Sequence, residues 1–381
     1  MKKKPEIIVV LSVLFVSIFL MFYSPYEIME KKKYQEITDY KYAKAKVLEI
    51  IEDTTKDKVK NDVSHMRYQK FKLEILTGPH KGEKYIINHA IEIIDVYYIL
   101  VKEKDSIIIS YTENDKNKIM TISLYEINRE KYVYGIILIF FISLIIIAKI
   151  KGLKSSLTLF FTAIVIIKIL LPMILMGYNP INLTIILCSF IALGTLLIIG
   201  GVNKKSFSAI IGTMGGLAIS GIIAAIIGNL SRVSGLAGDS ARMIKFLHRD
   251  LQLDFKGILF SAILIGALGA VMDVGLSIAS ALNEIVSVKP DISNKNLIKS
   301  GMNVGKDIVG SMSNTLILAY VGGALQLLIL FLATKTHYIQ LINIELISSE
   351  IITAVSGSIG LIWSVPLTIL AFVLLRNKNK K

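Results

Sequence analysis

Eight long apolar runs dominate this sequence and constrain its fold more than any other feature. A transmembrane helix needs about 20 mostly apolar residues to cross the ~30 Å hydrocarbon core of a bilayer. Each run can reach across, the second only with help from its flanks. Hydrophobic residues make up 53% of the 381-residue chain, which is typical of a multi-span membrane protein. We therefore predict a polytopic α-helical membrane protein with about eight transmembrane helices, at residues 7–23, 134–148, 155–176, 181–200, 207–228, 258–282, 308–333 and 351–375.

Residues 24–131 have a different character, because charged residues are dense there and apolar residues alternate with polar ones. Alternation with a period of two is the pattern of a half-buried β-strand. Five short strands in a segment of this length predict a small β-rich domain of OB-like type. The expected strands are residues 45–51, 68–76, 85–89, 107–111 and 119–125. The aromatic side chains of this domain either pack in its core or line a ligand groove.

This contrast divides the chain into three parts. Residues 1–23 form an uncleaved signal-anchor helix, because basic residues precede the apolar run and no small-residue cleavage site follows it. Residues 24–131 form the β-rich domain, which we predict to be extracytoplasmic. Residues 132–381 form a membrane domain of seven helices.

The distribution of basic residues sets the expected orientation. The net charge of +14 does not indicate nucleic acid, because residues 24–131 are almost neutral, with 20 Lys/Arg against 19 Asp/Glu. Lysines cluster after every second span, as the positive-inside rule describes for cytoplasmic loops. We therefore predict that both termini are cytoplasmic. The mixed-charge loop 229–256 is the exception, and we interpret it as an outer re-entrant or interfacial segment.

An acid lies well inside the run at 258–282, on a face of small and polar side chains. At 3.6 residues per turn, Asp273, Ser277, Ser280 and Glu284 follow one side of the helix, and the opposite side is apolar. An acid in a bilayer costs about 2.5–3.5 kcal/mol on insertion scales, so it marks a functional site by default. Asp273 is then a proton or cation carrier or a gating residue. The alternative is an interhelical hydrogen bond that only fixes the packing.

A second polar stripe, formed by Asp307, Ser311 and Asn314, follows the next span at i, i+4 and i+7. Both stripes start at the cytoplasmic end and can face each other there. Glu284 and Asp307 lie at the inner boundary, where we expect an acid to be solvated or to cap a helix. A third pattern is a ridge of small uncharged residues, which permits close helix packing: Gly212, Gly216, Ser220, Ala224 and Gly228.

Lys168 is the only basic residue deep in a predicted span. An ion pair with Asp273 would offset the cost of both charges, but their depths argue against it. At 1.5 Å per residue, Lys168 lies about 20 Å from the inner end of its span, and Asp273 about 8–14 Å from its own. Pairing then requires tilted helices. Pro172, one turn later, is expected to kink the helix and let water reach Lys168.

No stretch fits a known catalytic motif. The residues at 301–307 (GMNVGKD) are one residue short of a phosphate loop, 235–239 (GLAGD) lack the spacing of an intramembrane aspartyl protease, and 357–360 (GSIG) are not a nucleophile elbow. The single cysteine, Cys188, excludes a disulfide framework, and the five histidines are scattered. We therefore expect no enzymatic activity, no bound metal and no cofactor.

Three blocks within the apolar runs are unusually rich in Gly, Ser, Asn and Asp, at residues 266–285, 301–323 and 357–368. In these blocks the chain resembles the YibE/F-like family of bacterial multi-pass membrane proteins. The resemblance covers residues 130–375 well, and the anchor and outer domain resemble the N-terminal half of the family more loosely. It implies a protein of the bacterial cytoplasmic membrane, and it assigns no activity and no catalytic residues.

The residues leave two functions open. The polar stripes, the proline-interrupted helix and the small-residue ridge favour a permease or transporter that uses Asp273 to move a small solute or ion. The size of the outer domain favours a membrane scaffold or assembly factor that binds a protein partner there. An intramembrane enzyme lacks its motif. The expected partners are the lipid bilayer and either a solute, an ion or a protein, but not nucleic acid, and the sequence leaves the oligomeric state open.

Overall fold

The computed structural model describes residues 4–22, 40–56, 66–92, 98–114, 116–247 and 252–376. Contacts divide the chain into two compact units. The β unit spans residues 33–143, and the helical unit combines residues 1–32 with residues 144–381. Residues 24–39 of the predicted outer domain and residues 377–381 of the predicted cytoplasmic tail lie outside the described residues. The domain boundaries placed after residues 23 and 131 stay predictions.

Five strands form the β unit, one at each predicted position. The strands form because apolar and polar residues alternate along the chain. In β1, for example, Ala43, Ala45 and Val47 are buried in the core, whereas Lys46 is exposed. The 3-10 turn Thr54–Lys56 follows the first strand. The strands are β1 (Lys41–Asp53), β2 (Met66–Ile75), β3 (Lys84–Glu92), β4 (Ser106–Glu113) and β5 (Ile119–Ile127).

The sheet is antiparallel, with the strand order β3-β2-β1-β4-β5. β1 lies at its centre, and two register shifts in its pairing with β2 bend it, as β-bulges do. The outer strands β3 and β5 approach each other, so the sheet is nearly closed into a barrel. Its interior is filled by fully buried side chains: Phe71, Leu73, Ile75, Ile107 and Ile109.

Every predicted apolar run is helical in the structure. Side-chain caps fix several starts, since Asn203, Asp254 and Ser293 each accept an N–H three residues further on. A π-helical turn, Ile166–Leu170, interrupts one helix. The helices are α1 (Lys4–Phe22), α2 (Glu130–Val165), α3 (Leu171–Leu175), α4 (Pro180–Gly200), α5 (Lys204–Leu230), α6 (Asp239–Leu247), α7 (Phe255–Val288), α8 (Asn294–Gly323), α9 (Leu325–Ala333), α10 (Tyr338–Asn343) and α11 (Glu345–Leu375).

Five helical segments among the described residues are long and apolar enough to cross a membrane, or six if α8 and α9 count as one bent span. This is fewer than eight for two reasons. The apolar part of α1, Ile7–Phe19, is short, and the runs at 134–148 and 155–176 continue as one segment, Glu130–Leu175. The run at 308–333, which is predicted as one span, is bent by 59° directly after Gly322 and Gly323, because glycine is a weak helix former.

The segment Glu130–Leu175 is not one straight helix, because its backbone leaves the helical conformation at Lys149 (φ 50°, ψ −125°). A positive φ is uncommon for a residue other than glycine. Gly152 also lies so close to the backbone of Leu144 and Ile145 that a side chain there would collide with it. The chain therefore breaks within the loop that the lysine pattern predicts.

The small-residue ridge packs α5 against its neighbours. A methyl group added at Gly216 would lie 2.6 Å from the Gly360 carbonyl oxygen of α11, and one at Gly360 would lie 2.6 Å from that of Gly216. Gly212 packs against Thr368 of α11, and Gly228 against Phe260 of α7. All five ridge residues are buried. Contacts this close exclude any larger side chain, so the ridge is a packing surface.

Candidate functional site

α7 carries the first polar stripe on the side that faces away from the core. Asp273, Ser277 and Glu284 are exposed and Ser280 is half-buried, whereas the apolar side of the helix is buried. Asp273 precedes the C-terminal end of α7 by 15 residues, which is about 22 Å along the axis. The acid thus lies near the middle of α7, which extends beyond the apolar run at both ends.

α8 carries the second stripe, and this stripe is also exposed. Leu297, Gly301 and Gly305 bury the opposite side of the helix. Further along, the exposed side becomes apolar at Ile317 and Val321. The polar part is therefore confined to the N-terminal two-thirds of α8, and its exposed residues include Lys299, Asn303, Lys306, Asp307, Gly310, Ser311 and Asn314.

Three close contacts set the relative heights of these two helices. A methyl group at Gly301 would lie 2.8 Å from Leu282, one at Gly305 would lie 3.6 Å from Ile278, and one at Gly266 would lie 2.5 Å from the Tyr320 hydroxyl. The helices are therefore antiparallel neighbours. Counting along each from these contacts places residues at equal heights in the pairs Asp273 with Gly310, Ser277 with Lys306, and Glu284 with Lys299.

The two stripes form one continuous surface, which we call the α7–α8 polar surface. Apolar side chains and glycines fill the contact between the helices, so the stripes lie side by side on the outside and do not face each other. In the described part of the chain, none of its side chains makes a hydrogen bond or an ion pair, and no interhelical hydrogen bond occupies Asp273. The surface consists of Asp273, Ser277, Ser280 and Glu284 of α7 with Asn303, Asp307, Gly310, Ser311 and Asn314 of α8.

Lys168 lies apart from this surface, on the π-helical turn Ile166–Leu170. Pro172 explains the turn, because it has no N–H for the Lys168 carbonyl and its ring would collide with that carbonyl in a regular helix. Lys168 is half-buried, and no ion pair joins it to Asp273 among the described residues. The turn shares an apolar cluster with Leu183 of α4 and with Ile258 and Ile265 of α7.

Two further residues lie beside the surface, near the C-terminal end of α8. The hydroxyl of Tyr320 is buried, has no hydrogen-bond partner among the described residues, and contacts Gly266. Glu350 of α11 is half-buried and interacts electrostatically with Tyr320. In the sequence, Glu350 is recognisable only as an acid directly before the last apolar run. The structure places it inside a helix, because α11 begins at Glu345, about one turn earlier.

A separate apolar groove of about 400 Å³ lies between α4, α5 and α7. Cys188, Leu217, Gly221 and Phe260 are among its lining residues, and none of the lining side chains is charged. Cys188 is a free, buried thiol. The groove suits hydrocarbon and offers no ligand for an ion, so it is not an alternative to the α7–α8 polar surface.

The β unit contains a buried charge network around His80. Its Nδ1 lies 3.0 Å from Glu83 Oε1 and its Nε2 lies 3.3 Å from Glu113 Oε1, while Lys41 donates to Glu113 Oε2 at 2.8 Å. The hydrogen bond with Glu83 is the main reason that the pKa of His80 is raised. The pKa of Glu113 is lowered, mainly by the hydrogen bond from Lys41. Even so, no three His, Cys, Asp or Glu side chains in the described ranges are placed to hold a metal ion.

A groove of about 950 Å³ opens between the end of β1 and the start of β2. Its walls combine apolar residues with charges of both signs, including Asp53, Arg67 and Lys102. Tyr98 is half exposed there, whereas Phe71 is buried in the core. Aromatic residues of the β unit thus occupy both of the expected positions, core and groove.

Two family models match this chain. Residues 136–378 match the family described as YibE/F-like protein, and residues 38–127 match the YibE/F family N-terminal domain. No curated protein and no solved structure matches the chain.

Proposed function

The chain belongs to the YibE/F-like family, and from this premise we propose that it is a permease-like protein of the bacterial cytoplasmic membrane. In this proposal a small solute or ion moves along the α7–α8 polar surface, and Asp273 is the ionisable group that it meets. The protein catalyses no reaction.

The observation that carries this proposal is the unpaired Asp273 near the middle of a helix long enough to cross a membrane. An acid at such a depth costs about 2.5–3.5 kcal/mol. Neither a hydrogen bond nor an ion pair among the described residues offsets this cost. Ser or Asn would fill a structural role at a lower cost, so retention of the carboxylate favours a role for its charge.

Oxygen atoms dominate the surface around Asp273. Ser277, Ser311 and Asn314 add hydroxyl and amide oxygens within about two helical turns of the carboxylate. Such ligands suit a proton or a hard cation and do not suit a soft metal ion. Asp307 and Glu284 continue the row of acids toward the inner boundary. A cation entering there would meet an oxygen ligand at every helical turn up to Asp273.

The proposal includes eight crossings, an OB-like outer domain and cytoplasmic termini. The break at Lys149 favours two crossings within Glu130–Leu175, because 46 residues of helix would extend about 69 Å, twice the bilayer core. With β3 beside β5, the strand order becomes 1-2-3-5-4-1, which favours a Greek-key barrel of OB type.

Thiol labelling tests the orientation in a Cys188→Ala background. A cysteine at exposed Lys118 of the β unit should react with an impermeant maleimide in intact cells. A cysteine at Lys289, in the loop after α7, should react only after permeabilisation. The reversed pattern would show that the orientation is inverted.

Flux into vesicles containing the purified protein tests the permease proposal. Under an imposed gradient, ion-sensitive dyes report the entry of protons, Na⁺ and K⁺. Asp273→Asn keeps the side-chain shape and removes the ionisation, so we expect its flux to fall to that of empty vesicles. Asp291→Asn changes an exposed acid in the α7–α8 loop and should keep the parental flux. Parental protein that moves none of these ions, or equal flux in Asp273→Asn, contradicts the proposal.

A scaffold or assembly factor is the second candidate, favoured by the groove between the end of β1 and the start of β2. Its mixed apolar and charged walls suit a polypeptide segment. A protein that copurifies with the chain, is lost in Arg67→Ala or Tyr98→Ala, and is retained in Asp273→Asn would favour this candidate over the permease.

A further inference from the structure

We propose that a second copy of this chain covers the α7–α8 polar surface, so that two copies enclose the path between them. The inference extends the proposed function, because it names the partner of the same surface. Its evidence is the exposure, charge and height of the residues on α7 and α8.

Lipid is an unfavourable neighbour for this surface. Asp273, Ser277 and Asn314 are exposed on helices long enough to cross a bilayer, and hydrocarbon offers them no hydrogen bond. Polar residues in membrane spans normally face a bundle interior or a water-filled cavity. In the described part of the helical unit, α7 and α8 pack through their opposite sides and nothing covers the polar ones. A protein surface must supply the cover.

The charges on α7 and α8 complement each other in a way that a two-fold axis can use. The exposed side of α7 carries the acids Asp273 and Glu284, whereas that of α8 carries Lys299 and Lys306 beside Asp307. An axis along the membrane normal keeps every residue at its own height, so α7 of one copy meets α8 of the other at the heights given above. Glu284 then meets the second copy's Lys299.

The same geometry brings a basic residue of the second copy near Asp273. Lys306 precedes Gly310 by four residues, or about 6 Å along the helix, and Gly310 is level with Asp273. The second copy's Lys306 thus lies within about one helical turn of the height of Asp273.

Glycines on the surface permit the approach of a second backbone. A methyl group added at Gly269 of α7 or at Gly310 of α8 would have no atom within 4 Å. Small residues of this kind on membrane helices let two helices approach closely. Their exposure contrasts with the buried glycines of α5, which already have a partner.

Cross-linking between two differently tagged copies tests the inference in native membranes. Both copies carry Cys188→Ala, one carries Ser277→Cys, and the other carries Asn303→Cys. A short bismaleimide should join the two tags, because Ser277 and Asn303 lie within about one helical turn of the same height on facing helices. Only a contact between copies can join two tags, so a contact within one chain cannot mimic the result. Adding Glu284→Lys to both copies should lower the yield severalfold, and adding Lys299→Glu as well should restore it.

A matched control uses two exposed apolar positions on other helices. Ile186→Cys of α4 and Ile226→Cys of α5 are 65% and 52% exposed and should not join the tags. Absence of the Ser277–Asn303 product, or an equal yield at the control positions, overturns the inference. If Asp273→Asn loses ion flux but the Ser277–Asn303 cross-link does not form, only the proposed contact between copies is contradicted. If the cross-link forms but the parental protein moves no ion, only the permease proposal is contradicted.

Discussion

Small residues recur at helical spacing in two regions of this molecule, and the two regions use them differently. On α5, the ridge from Gly212 to Gly228 is buried against α11 and α7, and backbone meets backbone at Gly216 and Gly360. On α7 and α8, Gly269 and Gly310 are exposed and have open space around them. The spacing is similar, but the surroundings are opposite.

The difference between the two regions is charge. The α5 ridge has no ionisable side chain, so burying it costs little and permits dense packing. The α7–α8 polar surface carries Asp273 and Asp307 among its small residues, and burying an unpaired acid would cost several kcal/mol. A charge-free row of small residues therefore indicates a packing surface, and a row that includes acids indicates a surface reserved for a ligand or a partner.

The largest expected effect is that of Gly216→Leu. Its side chain would meet the Gly360 carbonyl oxygen and Ser364, which cannot move without separating α5 from α11. We expect a loss of more than about 3 kcal/mol of stability, the upper range for overpacking. Heating in detergent followed by size-exclusion chromatography measures it. Gly135→Leu changes a helical glycine of α2 with open space around it and should match the parent. Parental heat resistance in Gly216→Leu would contradict the conclusion that the α5 ridge is a packing surface.

An intermediate effect is expected for Gly310→Leu. Because a side chain there meets no atom of its own chain, the protein should fold and resist heat like the parent. The leucine would instead hold a second copy away, so the cross-link between Ser277→Cys and Asn303→Cys should fall severalfold. Gly135→Leu is again the control and should leave the yield unchanged. An unchanged yield in Gly310→Leu argues against close approach at this surface.

The smallest effect concerns the β unit, where the charges around His80 are paired. Because the pKa of His80 is raised, protonated His80 stabilises the turn at residues 77–82 fully below pH 6.5. This contribution is lost as the pH rises through the raised pKa. The protection factor of the turn amides in the full chain, which is the intrinsic exchange rate at each pH divided by the observed rate, should therefore be higher at pH 6 than at pH 9.

His80→Gln should remove this pH dependence. His89→Gln is the matched control, because the pKa of His89 is lowered by burial and its Nε2 bonds to the Ile99 carbonyl, away from the turn. It should retain the parental pH profile in residues 77–82. A flat profile in the parent protein would mean that His80 and Glu83 do not couple the turn to pH.

Much of the fold could be predicted because burial imposes periodicity on the sequence. The period of two placed all five strands, and the period of 3.6 placed Asp273 and Ser277 on the side of α7 opposite its buried residues. The absence of charge among its small residues predicted that the α5 ridge is a packing surface. Each of these inferences depends only on residues within a single helix or strand.

The rest depends on contacts between elements, which no single stretch encodes. Nothing in α7 or α8 alone indicates that their polar stripes lie side by side on the exposed surface of the helical unit. The full length of the helix that carries Asp273 was not predicted, because α7 continues beyond its apolar run to its cap at Asp254 and to Lys289. The bend at Ala324 and the buried hydroxyl of Tyr320 likewise depend on which helices meet there.

The central claim is that the charge of Asp273 serves transport and not packing. One preparation of Asp273→Asn, measured for both ion flux and heat resistance, tests it most directly. The account predicts flux equal to that of empty vesicles together with parental or higher heat resistance, because Asn removes the cost of a charge in the membrane. Parental flux in Asp273→Asn, or heat resistance lost together with flux, would contradict it.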